Sequence, residues 1–528
     1  MQKVVPVLLQ VAGWLKCNLR TRPVFWLVLV LGVYARFYMF GSVPGDINQD
    51  EAFAGYNAFT LLHHAADSYG YRLPVYLTAW GSGMNALESY LMIPFVAVFG
   101  LHVWTIRLPM VLVGLLSLVA VYFMVRRFYN EKTAVGAMLL LAISPWHVML
   151  SRWALESNMA PGFVLFGMFF FVKGMSKPKF LIPAAAFYGL SLYAYATIWA
   201  VVPFIILMSV AYGLWTKSIG NNRYTWISLG VLAALALPLL LFLLVNKNVI
   251  SEICLPFMSI PKLVYFRDSE ISFEKIPENF MNFWNILKNQ SDGLPWNYME
   301  GHGLFYSFTL PFVFVGLVLN MYHAVRDVIA RRVGLSFFLM VWLIAGFMIG
   351  ILINVNVNRV NLFFIPAIMM AAQGILLTFN FIHPRTIVIP LVAYLLCFAN
   401  FEREYFTTYK DRIGEHFCEG VGEAIAFAQS KMPAGTKLYV DPNVNYTRVL
   451  FYGQVDLNSY LSTVAYTNFP SAFLYVHRFD KYEFTFNENL ADGRSVYLLE
   501  NKGDRLNRME RKGYGVQNFG KYIVAYPQ

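Results

Sequence analysis

The chain has 528 residues, of which 58% are hydrophobic and only 13% charged, against about 25% charged in soluble domains. The polar residues cannot screen so much apolar surface from water, and the excess must face lipid, which excludes a soluble globular protein. The net charge is +11, yet a basic chain this apolar does not point to nucleic acid; its Lys and Arg sit in loops between apolar runs, where they set topology.

A basic stretch (Lys16, Arg20, Arg22) precedes the first membrane-length run, 24–40. That run ends without a small-residue cleavage site, so it reads as a retained helix and not a signal peptide. Directly after it comes an acid cluster, Gly45-Asp46-Ile47-Asn48-Gln49-Asp50-Glu51-Ala52-Phe53-Ala54-Gly55-Tyr56-Asn57. Carboxylates held at a membrane surface can bind a metal, bind a sugar hydroxyl or take its proton. Asn48 with Glu51 three residues on also fits a capping box, and a cap fixes a carboxylate in place, so the two readings are compatible. Asp46 reads as a turn residue.

Further apolar runs at 107–125, 133–150, 160–174, 180–197, 199–216, 225–245, 304–324, 334–353, 360–380 and 386–402 bring the expected spans to eleven. The stretch 86–100 is apolar but short, and charge decides its status. If it lies on the surface, sixteen Lys and Arg fall in cytoplasmic segments, Arg126, Arg127, Arg331 and Arg332 among them. If it spans, that asymmetry collapses. The positive-inside rule therefore makes 41–106 one outer loop carrying two surface helices. The N-terminus is then cytoplasmic, and both a long loop at 246–303 and a soluble α/β domain at 403–528 are extracytoplasmic. In that domain a helix is expected near Ile413–Ser430. Strands are expected at Lys437–Val440, Arg448–Tyr452, Ala472–Val476, Val496–Leu499 and Tyr522–Ala525. Cys17, Cys254, Cys397 and Cys418 have neither zinc nor thioredoxin spacing.

Three more outer segments carry polar residues. Ser151-Arg152-Trp153-Ala154-Leu155-Glu156 ends the third span. Arg152 is a cation on the disfavoured side; it can grip an anionic ligand through its planar fork, or pair with Glu156 four residues on. Asn358-Arg359 links spans nine and ten, where Arg359 can face a cavity or snorkel to headgroups. Gly301-His302-Gly303 closes the long loop, and its glycines let backbone approach a ligand. Arg36 and Arg107 are weaker candidates of the same kind. One carboxylate centre ringed by cations suits transfer from a phosphate-linked donor.

This order of motifs resembles the GT-C class of membrane glycosyltransferases, in the branch of protein O-mannosyltransferases and lipid A aminoarabinose transferases. The features that carry it are Asp50-Glu51 in the first outer loop, Arg107-Leu108-Pro109 opening the second span, Ser151 to Glu156, and Asn358-Arg359 with Pro366. Relatives often have Asp where this chain has Glu156. The resemblance covers about residues 20–400 and implies a polytopic helical fold. It also implies a polyprenyl-phosphate sugar donor, and an acceptor lipid, glycan, cell-wall polymer or protein at the outer face of a bacterial plasma membrane. Asp50 and Glu51 would then be catalytic, and Arg152, Arg359, His302 and Arg107 would bind the donor phosphate. Asp46, Glu156 and Tyr56 would serve the acceptor or support the others. A divalent cation is neither required nor excluded by the residues. A transporter of lipid-linked sugars and a non-catalytic envelope scaffold are the alternatives. No two-halved symmetry supports the first, and the intact Asp-Glu pair argues against the second.

Overall fold

The computed structural model describes residues 22–266, 271–485 and 494–528, so Lys3, Lys16, Arg20 and Cys17 lie outside the described residues. The first run becomes α1 (Pro23–Phe37), with proline at its first helical position, where its missing N–H costs nothing. Its Val24, Leu27 and Val30 are exposed, as lipid-facing residues should be.

Residues 41–106, expected to be a loop carrying two helices, fold into α2 (Gln49–His64) and α3 (Leu87–Phe99), joined by a hairpin of β1 (Tyr76–Leu77) and β2 (Met84–Asn85). At 13 residues, α3 is about 20 Å long at 1.5 Å per residue, well short of a hydrocarbon core of about 30 Å.

The chain continues through α4 (Val103–Phe128), α5 (Glu131–Ile143), α6 (Pro145–Leu150), α7 (Glu156–Gly174), α8 (Leu181–Ser191), α9 (Val202–Trp215) and α10 (Arg223–Asn246). The long loop after α10 holds a second hairpin, β3 (Ile253–Leu255) with β4 (Met258–Ile260), and α11 (Ile276–Asn289). Four more helices follow: α12 (Leu310–Ile329), α13 (Leu335–Leu352), α14 (Phe364–Ile382) and α15 (Val388–Tyr405). Each of the eleven apolar runs thus carries helix. Among the described residues, seven helices are by themselves long and apolar enough to cross a membrane. The run at 133–150 is interrupted, because Pro145 cannot continue α5 and instead opens α6. Trp146 N–H turns there to the Leu304 carbonyl at 2.8 Å. The last span extends to Tyr405, so the two parts of the chain meet slightly later than 403.

Beyond it, α16 (Thr408–His416) and α17 (Val421–Lys431) replace the single helix expected at 413–430, because Cys418 and Gly420 both adopt positive φ and break it. A seven-stranded mixed sheet follows, in the order β10-β11-β9-β5-β8-β7-β6. Its strands are β5 (Leu438–Val440), β6 (Ala465–Tyr466), β7 (Val476–Phe479), β8 (Tyr482–Glu483), β9 (Val496–Glu500), β10 (Tyr514–Phe519) and β11 (Tyr522–Pro527). Strands were expected at three of these places. The expected strand at Ala472–Val476 only touches β7, and β6, β8 and β10 were not foreseen. Arg448–Tyr452 is not a strand at all. It lies in α18 (Tyr446–Gly453), whose first turn is capped by the Asn445 side chain and whose end is set by Gln454 at positive φ. The short helices α19 (Leu457–Thr463) and α20 (Arg505–Arg511) complete the domain.

This domain is docked on the first outer loop. Helix α18 lies on α2, where a Cβ on Gly55 would come within 2.7 Å of Phe451 Cε2. Tyr56 donates its hydroxyl hydrogen bond to the Val455 carbonyl at 2.9 Å. Replacing Gly55 with leucine should therefore lift the domain from the loop. The expected result is faster tryptic cleavage between α15 and α17 and a lower unfolding temperature. The same change at Gly230, where a Cβ meets nothing within 4 Å, should alter neither.

Candidate functional site

The acid cluster is organised by Glu51, which is fully buried. The capping box forms: the Asn48 side chain accepts from Asp50 N–H at 2.9 Å, and Glu51 Oε2 accepts from Asn48 N–H at 3.1 Å. Glu51 also receives the Arg107 fork, Nε to Oε1 at 2.7 Å and Nη2 to Oε2 at 2.8 Å, and Ala154 N–H at 2.7 Å. Arg107 spends its other N–H groups on the carbonyls of Pro44, Gly45 and Asp46. All five of its donors are thereby used.

Arg152 is equally occupied. Its guanidinium donates to the carbonyls of Ala35, Tyr38, Met39 and Val43, at the end of α1 and in the turn after it, and it stacks on Phe406 at 4.9 Å. Glu51 was placed in the chemistry and Arg107 and Arg152 on a donor phosphate, yet the polar atoms of all three are taken up inside the protein.

Three other expected residues also act as joints. Asp46 accepts from Gly422 N–H at 3.0 Å and from the Tyr452 hydroxyl, both in the sheet domain. Tyr56 is committed to Val455, as above. His302 is buried and meets the Glu404 carboxylate at 3.0 Å, tying the long loop to the end of α15.

Asp50 differs from these. It is half-buried at the start of α2. Burial pushes its carboxyl up to about 6; the nearby Arg448 charge and a hydrogen bond with the Trp80 side chain pull the other way, while Glu51 adds to the rise. Glu156 lies on the same side of the molecule, where its carboxylate accepts from Asn85 N–H. Glu88, on α3, is buried with one oxygen unpartnered, and burial together with Glu156, Glu51 and Asp50 holds its carboxyl well above the usual range. Neither Glu88 nor Arg448 was singled out in the sequence. An acid inside an apolar run was the available signal for Glu88, whereas nothing local marks Arg448.

The loop of Arg359 joins the same region. Asn358 donates to the Asn158 side chain at 3.2 Å and Asn361 to the Ser157 carbonyl at 2.6 Å, directly after Glu156. Arg359 itself is half-buried, with Nη1 on the Asn354 carbonyl at 2.9 Å. An apolar cavity of about 440 Å³ is lined by Tyr76, Ser82, Trp199, Lys247, Phe242 and Ile353. Residues 76–82 thus reach from the cavity wall to Asp50, through Trp80. Among the described residues, no group of three or more His, Cys, Asp or Glu side chains is placed to hold a metal ion.

The Glu51–Arg107 pair can be tested by removing one side. Breaking a buried ion pair from one side costs about 3–5 kcal/mol. Arg107→Ala should accordingly lower thermal stability in detergent sharply, while Glu51→Gln, which keeps an acceptor for the cap, should lower it less. Equal, negligible shifts would show that the pair holds nothing together.

Residues 87–243 match the sequence model of the family described as dolichyl-phosphate-mannose-protein mannosyltransferase. In structure the chain is similar to ArnT from Cupriavidus metallidurans in the apo state, with a TM-score of 0.53 and 12% identity over 98% of both chains. It is likewise similar to the same protein bound to undecaprenyl phosphate, with a TM-score of 0.51 and 13% identity over 97% of this chain and 98% of that one. No curated protein matches it in sequence at a significant level. The multi-span helical architecture is thus ArnT-like in fold, and within it residues 87–243 are similar to the protein mannosyltransferase family.

Proposed function

We propose that this chain is a membrane glycosyltransferase that moves a sugar from a polyprenyl-phosphate donor to a lipid, glycan, cell-wall polymer or protein. The reaction takes place at the outer face of the plasma membrane, with the N-terminus cytoplasmic and the sheet domain outside. The observation that carries it is the segment 76–82, whose Tyr76 and Ser82 line an apolar cavity while its Trp80 side chain hydrogen-bonds with Asp50. Its volume of about 440 Å³ lies in the usual range of small-ligand sites, about 300–1,000 Å³. The structurally similar ArnT binds undecaprenyl phosphate, a lipid whose chain suits such a lining. An arrangement at one end of the spans, and not at their midplane, favours transfer over transport.

In this reading Asp50 takes the proton of the acceptor hydroxyl as its oxygen bonds to the anomeric carbon. The bond from that carbon to the phosphate oxygen breaks, and the phosphate leaves with the electron pair. Arg359 and Lys247 stabilise the charge it gains. Glu51, Arg107 and Arg152 are positioning residues that hold the Asp50 loop, and Glu156 and Glu88 shape the space in front of it.

Asp50→Asn should abolish transfer by the purified protein with a panel of polyprenyl-phosphate sugars. A base must be ionised, and the Asp50 carboxyl sits at about 6, so wild-type turnover should fall as pH drops through 6 and level off above it. Because the folded state raises this carboxyl, it binds the proton more tightly than the unfolded chain does. Its ionisation therefore opposes folding as pH rises through 4 to 6, and the asparagine variant should unfold no more easily than wild type at pH 7. Turnover in that variant, or a flat profile across pH 6, would remove Asp50 from the chemistry.

Of the three arginines expected at the phosphate, Arg359 and Arg152 now separate. Arg359→Lys loses a bidentate fork; a charge-assisted bond contributes about 1.5–3 kcal/mol. Donor binding should weaken roughly ten- to a hundredfold, at about 1.4 kcal/mol per factor of ten, while thermal stability holds. Arg152→Lys should do the reverse, lowering the unfolding temperature while donor affinity per folded molecule stays unchanged. Identical behaviour of the two variants would contradict this division.

A further inference from the structure

Helix α11 (Ile276–Asn289), in the long outer loop, presents three distinct faces. Asn279, Phe283 and Ile286 are buried against the protein. At about 100° per residue, Phe280 and Trp284 fall on a second face with Pro277, and Met281 lies at its margin. These are large, apolar and open: Phe280 is 41% exposed, Met281 53% and Trp284 53%, with Phe273 just before the helix at 73%. Glu278, Asn282, Asn285 and Asn289 occupy the third face, roughly opposite the second. A helix with one face for protein, one for water and one aromatic face unpartnered is the pattern of a segment lying in a membrane interface.

Its anchorage fixes the depth. Asn279 donates to the Ile351 carbonyl at 3.3 Å, and Ser272 N–H to the Leu352 carbonyl at 3.0 Å, at the C-terminal end of the span α13. Phe283 fills the notch left by Gly350, where a Cβ would come within 2.6 Å of its ring. The Phe280 ring then meets Phe347 at 6.2 Å between centroids, and Phe347 is itself exposed on the span. The open face of α11 is therefore continuous with the lipid-facing surface of α13. Phe347 lies five residues before Leu352, about 7 Å down the span axis. Apolar faces of interfacial helices sink about 5–10 Å into the boundary between headgroups and acyl chains.

We infer that α11 is a membrane-interface helix that embeds Phe280, Met281 and Trp284 in the leaflet at the C-terminal end of α13, its partner being the phospholipid surface. Asn282 and Asn285 stay in water, and Lys288 reaches from the edge of the apolar face toward headgroups. Ile271, just upstream, lines the apolar cavity, so the embedded helix also fixes one wall of that cavity at leaflet depth.

The test places one cysteine at a time, as Phe280→Cys, Trp284→Cys, Asn282→Cys or Asn285→Cys, in full-length protein whose four native cysteines are replaced by serine. Each is spin-labelled and reconstituted in vesicles of phosphatidylethanolamine and phosphatidylglycerol. Power saturation then compares collisions with oxygen, which enriches in lipid, and with a water-soluble nickel chelate. Labels at 280 and 284 should favour oxygen several-fold over nickel, and labels at 282 and 285 should show the reverse. Equal nickel access at all four positions would mean the face is in water. Shielding of 280 and 284 from both reagents would mean a protein covers it. Either result overturns the inference, and neither depends on whether the chain transfers sugars.

Discussion

One buried ion pair underlies the half of this protein that holds the acid loop and the sheet domain. Glu51 and Arg107 are both fully excluded from solvent, a placement that ordinarily costs more in lost hydration than the attraction returns. It holds here because no polar atom of the pair is wasted. The carboxylate collects four N–H groups from three segments, and the guanidinium gives its remaining donors to three consecutive carbonyls of the loop before it. The pair thus stitches the first outer loop, the start of the second span and the loop after α6 into one unit. Asp50, one residue from Glu51, inherits a fixed position from it.

The same logic recurs around this unit with different partners. Arg152 wraps the end of α1 as Arg107 wraps the acid loop, and neither could be replaced by lysine without leaving carbonyls unmet. Asp46, Gln49 and Ile47 then carry the sheet domain: Tyr452, Gly422, Asn445, Thr447 and Arg448 all reach them. The acid loop therefore sits between span and sheet domain, with hydrogen bonds on both sides. Glu51, Arg107, Asp46 and Arg152, four of the charged groups that looked chemical in the sequence, are fasteners of that sandwich.

Much of the fold was legible in the sequence because lipid imposes long apolar runs and a charge asymmetry, both visible in one dimension. The shortness of the helix at 87–99 followed from run length, and the capping box from Asn48 and Glu51. The pairing of Glu51 with Arg107 was not legible, because adjacent acids look alike until one finds a buried arginine. Nor was the role of α18. Arg448 to Tyr452 is rich in aromatic and β-branched residues, and only the Asn445 cap and the Gln454 turn reveal a helix. Arg448 influences Asp50 across some four hundred residues of chain, a distance over which no local pattern carries information.

That long separation has a consequence in time. The spans and the acid loop emerge early in synthesis, but the groups that flank Asp50 from the other side belong to the last hundred or so residues. A nascent chain can thread its helices into the bilayer and close the Glu51–Arg107 joint while the Asp50 carboxyl still lacks the neighbouring Arg448 charge. Only when the sheet is folded and seated are both sides of the acid loop in place. Assembly of this region is thereby coupled to synthesis: a half-made copy lodged in the membrane would keep the buried ion pair and lack the far wall of the acid loop.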